Sequence, residues 1–213
     1  MTEVSEIAKR LEASWQAREP DAAIESAKPE IDGKALESGG YPLRHRKQLT
    51  AMFGPSLEMA QKHLPKILKG DALLILVGDR GPGKTQISTW WAAQRTLHDK
   101  SSGRYVKCAD IISEIKSTWH DGGKSIGTEN DVLRKYRSTS FLVIDEFHER
   151  GASEWEARTL INLLDHRYDD MKATVLIANI AVQKLEEAIN KSIIDRANQT
   201  GGVIECNWPS YRS

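Results

Sequence analysis

Five residues carry the first chemical signal. Gly78, Gly81, Gly83, Lys84 and Thr85 stand in the run "GDRGPGKTQ", in the spacing G-x-x-x-x-G-K-[ST]. Glycines at these points let the backbone wrap closely, so that its N–H groups can face phosphate oxygens. The helix expected from Lys84 adds its positive end to the same place. Lys84 is expected to reach the β- and γ-phosphates of a bound ATP, and Thr85 to hold Mg²⁺. Asp79, Arg80, Pro82 and Gln86 complete the loop and belong to the expected nucleotide contact.

A second group follows in "FLVIDEF". Asp145 ends an apolar run, where a carboxylate is costly unless it meets a cation or hydrogen-bond donors. Bound Mg²⁺, direct or through water, is the natural partner, which places Asp145 with Thr85 as the metal pair. Glu146 is the candidate base for an attacking water. The adjacent Asp-Glu pair favours ATP hydrolysis over phosphoryl transfer to a small molecule. Asn179 closes "TVLIAN" and is set either to touch the γ-phosphate and the water or to cap the next turn. Arg196, in "SIIDRA", is either a surface charge or an arginine that completes a neighbouring subunit's site.

Other residue types point less sharply. The six histidines form no pair at zinc-ligand spacing with one another or with a cysteine. Trp155 follows Asp145-Glu146 closely, with Arg150 and Arg158 near it in sequence. An aromatic beside basic groups can stack a nucleic-acid base, and it can equally fill a core. Cys108 and Cys206, far apart in strand-like runs, read as buried thiols in a reducing cytoplasm.

These residues need a frame. Apolar runs at 73–77, 105–108, 141–145, 173–178 and 202–206 alternate with helical patterns, which argues for a parallel sheet covered on both faces. The helix after Asp145-Glu146 opens on a capping box, Ser153 with Glu156. Residues 182–197 read as one helix. Leu57, Ala60, Leu64 and Ile67 mark a helix that Pro65 would bend or end.

The first 40 or so residues differ: Val4, Ile7, Leu11 and Trp15 recur at helical spacing, and a loose linker follows. That helix suits either a partner's groove or the chain's own surface. The expected division is 1–40 and 41–213. The chain has 213 residues, with 30 basic and 30 acidic side chains, so no global field marks it as coating DNA or membrane. No run approaches the ~20 apolar residues of a membrane span.

Taken together, the loop, "FLVIDEF", "LIAN", "IIDRA" and the closing "VIECNWPSYRS" resemble the AAA+ ATPases of the DnaC type, the bacterial and phage loaders of replicative helicases. The early "GGYPLRH" is similar to the segment that opens their ATPase domain. The resemblance spans roughly Tyr41 to Ser213. It implies a P-loop α/β fold of about five parallel strands without a separate lid domain. It assigns Asp145 and Glu146 as Walker B, Asn179 as sensor 1 and Arg196 as a trans-acting arginine finger. It also implies self-association through the ATPase domains. An aromatic near Trp155 contacts single-stranded DNA in such loaders, and an N-terminal domain grips a hexameric helicase. The N-terminal part here is shorter than that domain and has no cysteine cluster. Two alternatives stand beside the loader: the ATPase helper of a transposase, built on a very similar core, and a small-molecule P-loop kinase, which the Asp-Glu pair and the late arginine disfavour.

Overall fold

The computed structural model describes residues 31–101, 103–120, 127–149 and 153–210. The amphipathic stripe at Val4–Trp15, Arg150 and the last three residues lie outside them. Compact packing divides the chain into Met1–Glu30 and Ile31–Ser213.

The second unit opens with α1 (Gly33–Ser38), whose first N–H groups are taken by the Asp32 side chain. Leu36 of α1 is fully buried, so these residues belong to the sheet-bearing unit although the sequence pattern suggested a division near residue 40. Then come α2 (Leu43–Lys47), a 3₁₀ turn and α3 (Gly54–Lys69). Pro65 does not end α3: Ala60 and Ile67, on either side of it, are both fully buried, and the helix runs on to a left-handed Gly70.

The core elements alternate as expected: β1 (Leu73–Val77), α4 (Lys84–Asp99), β2 (Arg104–Lys107), α5 (Cys108–His120), α6 (Glu129–Ser138), β3 (Phe141–Asp145), α7 (Glu154–Asp169) and β4 (Ala173–Ala178). The expected capping box of Ser153 and Glu156 is formed at the start of α7. A second one, Thr128 with Asp131, opens α6. The single helix expected over 182–197 is broken. A 3₁₀ turn at Val182–Lys184 leads into α8 (Leu185–Ala188), Ile189 is extended, and Asn190 caps α9 (Lys191–Thr200) by accepting from the Ser192 N–H. An asparagine competes well for exposed backbone donors, so it starts a new helix more readily than it continues an old one. β5 (Gly202–Glu205) follows.

The five strands are parallel in the order β2-β3-β4-β1-β5. Alternate side chains of each strand enter different cores. Ile75, Val77, Leu142, Ile144 and Leu176 pack with α5, α6, α7 and α9. Leu74, Leu76, Val143, Val175 and Ile177 pack with α1, α3 and α4. Cys108 and Cys206 are buried free thiols. β2 is an outer strand, and its free side is met by the turn after α1: the Tyr105 N–H donates to the Gly39 carbonyl at 2.8 Å. A side chain at Gly40 would stand 2.9 Å from the Tyr105 carbonyl, so only glycine allows this approach.

Candidate nucleotide-binding site

β1 ends at Val77, and the chain turns through Gly78, Gly81 and Gly83, all at positive φ, before α4 begins at Lys84. This is the strand–loop–helix setting in which a Gly-rich loop turns its N–H groups toward phosphate. Beside it, three strands deliver side chains from their C-terminal ends: β3 gives Asp145 and Glu146, β4 leads to Asn179, and β2 gives Tyr105 and Lys107. With the loop they line one cavity of about 500 Å³. Pro42, His45 and Phe53, from the segments before β1, close its other side. The volume suits a nucleotide-sized ligand.

The polar groups in this cavity hold one another. Lys84 is buried, and its Nζ donates to the carbonyls of Gly78 and Asp79, both at 2.7 Å. Asp145 is also buried. Its Oδ2 accepts from Thr85 Oγ1 at 2.9 Å and from the Tyr105 hydroxyl at 2.6 Å, and its Oδ1 accepts from the Glu146 N–H at 2.7 Å. Burial, and then the Asp145 carboxylate, raise the Tyr105 pKa, so the phenol stays a donor. A hydroxyl and a carboxylate converging on one point are hard oxygen donors, the set that suits Mg²⁺. Thr85 and Asp145 therefore fit that ion.

Glu146 has a left-handed backbone, φ 56°, which is uncommon outside glycine. Its carboxylate pairs with Lys107 Nζ at 3.1 Å, and that hydrogen bond raises the Lys107 pKa. The Asn179 N–H donates to His148 Nδ1 at 3.2 Å, which ties the tip of β4 to the turn after β3. Arg80 reaches outward to Glu149 at 3.1 Å. Gln86 uses its side chain away from the loop. Its Oε1 meets His45 Nδ1 at 2.8 Å, and its Nε2 donates to the carbonyls of His45 and Gln48. It thus fastens α2 to α4.

Two expected site residues stand apart from the cavity. Arg196 forms an ion pair with Asp165 and lies 5.2 Å from the centre of the Tyr168 ring, both on α7. Trp155 packs partly against the core and meets Trp119 edge-on, with ring centres 4.8 Å apart. Trp119 is 53% exposed.

Sequence reasoning passed over Tyr105, Lys107, His148 and Trp119. For β2 a signal existed: Tyr105 and Lys107 alternate with the buried Val106, and Lys107 stands in register with Asp145. The register itself is not written in a local pattern.

No described helix is long and apolar enough to cross a membrane. An ATP-binding protein of insertion sequence IS232 from Bacillus thuringiensis subsp. berliner is 24% identical over 189 residues, which cover 83% of this chain and 72% of that one. An insertion-sequence ATP-binding protein of Mycobacterium tuberculosis is 26% identical over 148 residues, 65% of this chain and 55% of that one. Among solved structures, the DnaC helicase loader superposes with a TM-score of 0.65 at 17% identity, over 77% of this chain and 99% of that one. At that identity the likeness speaks for the fold alone, an α/β domain with a parallel sheet and a P-loop. The family of IstB-like ATP binding proteins matches residues 66–213, more than half of the chain and all of its P-loop and strand-tip residues. The chain belongs to that family of ATP-binding proteins.

Proposed function

We propose that this protein is an ATPase that loads a replicative DNA helicase onto single-stranded DNA, with hydrolysis completed where two subunits meet. One observation carries the chemistry. Asp145 and Glu146 stand side by side at the tip of β3, the first held by Thr85 and Tyr105, the second, among the described residues, paired with a half-exposed lysine. The two carboxylates thus have different environments and different tasks. Asp145 and Thr85 would hold Mg²⁺, which neutralises charge between the β- and γ-phosphates when bound. Lys84 exchanges the carbonyls of Gly78 and Asp79 for phosphate oxygens. Glu146 parts from Lys107 and takes a proton from the attacking water. Asn179, on a strand tip fixed by His148, orients that water.

Among the described residues the arginines lining the cavity are Arg44 and Arg80, and Arg80 belongs to the loop itself. Arg196 is in this reading the donor for a second subunit, handed over from Asp165. The test is complementation. Arg196→Ala keeps its own ATP binding and loses stimulated hydrolysis. Lys84→Ala binds no ATP but offers an intact arginine. Their mixture regains part of the activity, read as phosphate release. Normal assembly without recovery at any ratio rejects action in trans.

Trp119 and Trp155 form the surface for single-stranded DNA, and the apolar stripe Val4–Trp15 is the contact for the hexameric helicase. A second reading, ATPase helper of a transposase, is favoured by the two insertion-sequence relatives. It shares the chemistry and differs in the partner. Capture assays with a candidate helicase and a candidate transposase, each with and without ATP, separate the two. ATP-dependent capture of the helicase alone is the expected outcome.

A further inference from the structure

The chain does not leave the sheet when β5 ends. The Cys206 N–H still donates to the Val77 carbonyl at 2.7 Å, so the tail runs beside β1 up to the first residue of the phosphate loop. There it meets the loop at three successive points. The Cys206 carbonyl lies against Gly78, where any side chain would run into it. The Trp208 indole N–H donates to the Pro82 carbonyl at 2.7 Å. Ser210 covers Gly81, where a Cβ would stand 2.6 Å from the Ser210 Cβ. Two of the loop's glycines are therefore required by the tail as well as by positive φ.

The bond at Pro82 has a particular consequence. A loop that turns its N–H groups toward phosphate must turn carbonyls away from it, and those carbonyls need donors of their own. Lys84 serves Gly78 and Asp79, but it must release them to reach a nucleotide. Pro82 has no N–H to offer a phosphate, and its carbonyl is served by Trp208, a residue outside the loop and outside the cavity's lining. Trp208 is also partly buried against the core that the sheet shares with α1, α3 and α4, so its position is set by the fold.

We infer that Trp208 is a positioning residue for the phosphate loop. By fixing the Pro82 carbonyl, with Ser210 seated over Gly81, it holds the loop in the shape that receives a nucleoside di- or triphosphate. This rests on the nucleotide-binding reading of the site. It adds that affinity for the polyphosphate is set in part by the tail after β5. The loop grips substrate and transition state alike, so the effect falls on binding and leaves turnover of the bound complex alone.

The experiment uses the full chain and Trp208→Phe, which keeps an aromatic ring and removes the donor. Binding of a non-hydrolysable ATP analogue, KM and kcat for ATP, and Tm without nucleotide are measured. One neutral hydrogen bond is worth a factor of roughly three to ten, so the analogue's Kd and the KM rise by that factor while kcat and Tm stay near wild type. Ser210→Leu serves as a second variant: it changes an exposed residue, presses on Gly81 from outside and raises KM in the same way. Unchanged Kd and KM in both folded variants overturn the proposal. So does a fall in Tm and kcat with KM unchanged, which makes the tail a support for the fold only. Absence of analogue binding by the wild type removes the nucleotide reading itself, and this inference with it.

Discussion

The two ends of the sheet bury charge in opposite ways. At the N-terminal ends of β3 and β4, Arg167 is fully buried. Its guanidinium donates five hydrogen bonds: to Thr174 Oγ1 and to the carbonyls of Tyr136, Arg137, Thr139 and Ala173. Burial pulls its pKa down, and this ring of neutral oxygens keeps the charged form in place. Every acceptor is fixed in the backbone or at a strand start, and the partners come from α6, its exit loop and β4. At the C-terminal ends, Lys84 rests on loop carbonyls, Asp145 on two hydroxyls and Glu146 on a half-exposed lysine. These partners can be exchanged for phosphate, metal and water. At one end Arg167 has its partners for good, and at the other the charged groups hold theirs on loan. The difference separates a charge that makes the fold from charges that use it.

The comparison can be broken by substitution. Glu146→Gln should lower ATP hydrolysis by about 10²–10⁴-fold, the usual range for a lost general base, with analogue binding and Tm kept. An unimpaired rate removes Glu146 from that role. Arg167→Met should do the reverse. It leaves buried carbonyls without a donor and should cost about 3–5 kcal/mol, as breaking buried charged networks does, or on the order of 10 °C in Tm for a domain of this size. The fraction that remains folded should show a wild-type KM. A changed KM with an unchanged Tm would mean that the two ends are not separate in function.

Smaller effects sharpen the division. The pair Trp119–Trp155 belongs to neither set of groups, being aromatic and partly open to solvent. Stacking one base is worth ~1–3 kcal/mol, so Trp119→Ala should weaken binding of a labelled single-stranded oligonucleotide roughly tenfold, with little change in ATP turnover in its absence. The same loss in a melting curve instead of in anisotropy would make the pair a packing contact. Tyr105→Phe is the mildest. One hydrogen bond to Asp145 is worth about 1 kcal/mol, so half-maximal Mg²⁺-dependent binding of an ATP analogue should need about five times more Mg²⁺. An unchanged requirement would give Tyr105 to the fold.

The exchangeable end was the more legible of the two in the sequence. The P-loop is a local spacing, and Asp145, Glu146 and Asn179 close apolar runs, so each announces itself within a few residues. The alternation of strands and helices was legible for the same reason. Arg167 gave no signal, because its partners lie in three segments and a late arginine in "LLDHRYDD" reads as a helix-end charge. Tyr105, Lys107 and Trp208 depend on strand register and on where the tail runs, which no short window contains. Gln86 shows the limit inside a motif. It lines the cavity as its place beside Thr85 suggested, while its side-chain amide also donates to the carbonyls of His45 and Gln48, a tie that the motif's spacing does not contain.

The cover over β2 by Gly39 and Gly40 bears on how this unit can be cut. A fragment starting at Tyr41, where the sequence pattern alone would place the boundary, would strip the Tyr105 N–H of its acceptor and lay open a strand margin. Bare strand margins recruit extended segments from other molecules. Such a fragment would keep its ATP cavity and still be prone to polymerise through β2, so concentration-dependent association seen with it would mimic functional assembly. A fragment that begins at or before Ile31 retains the cover.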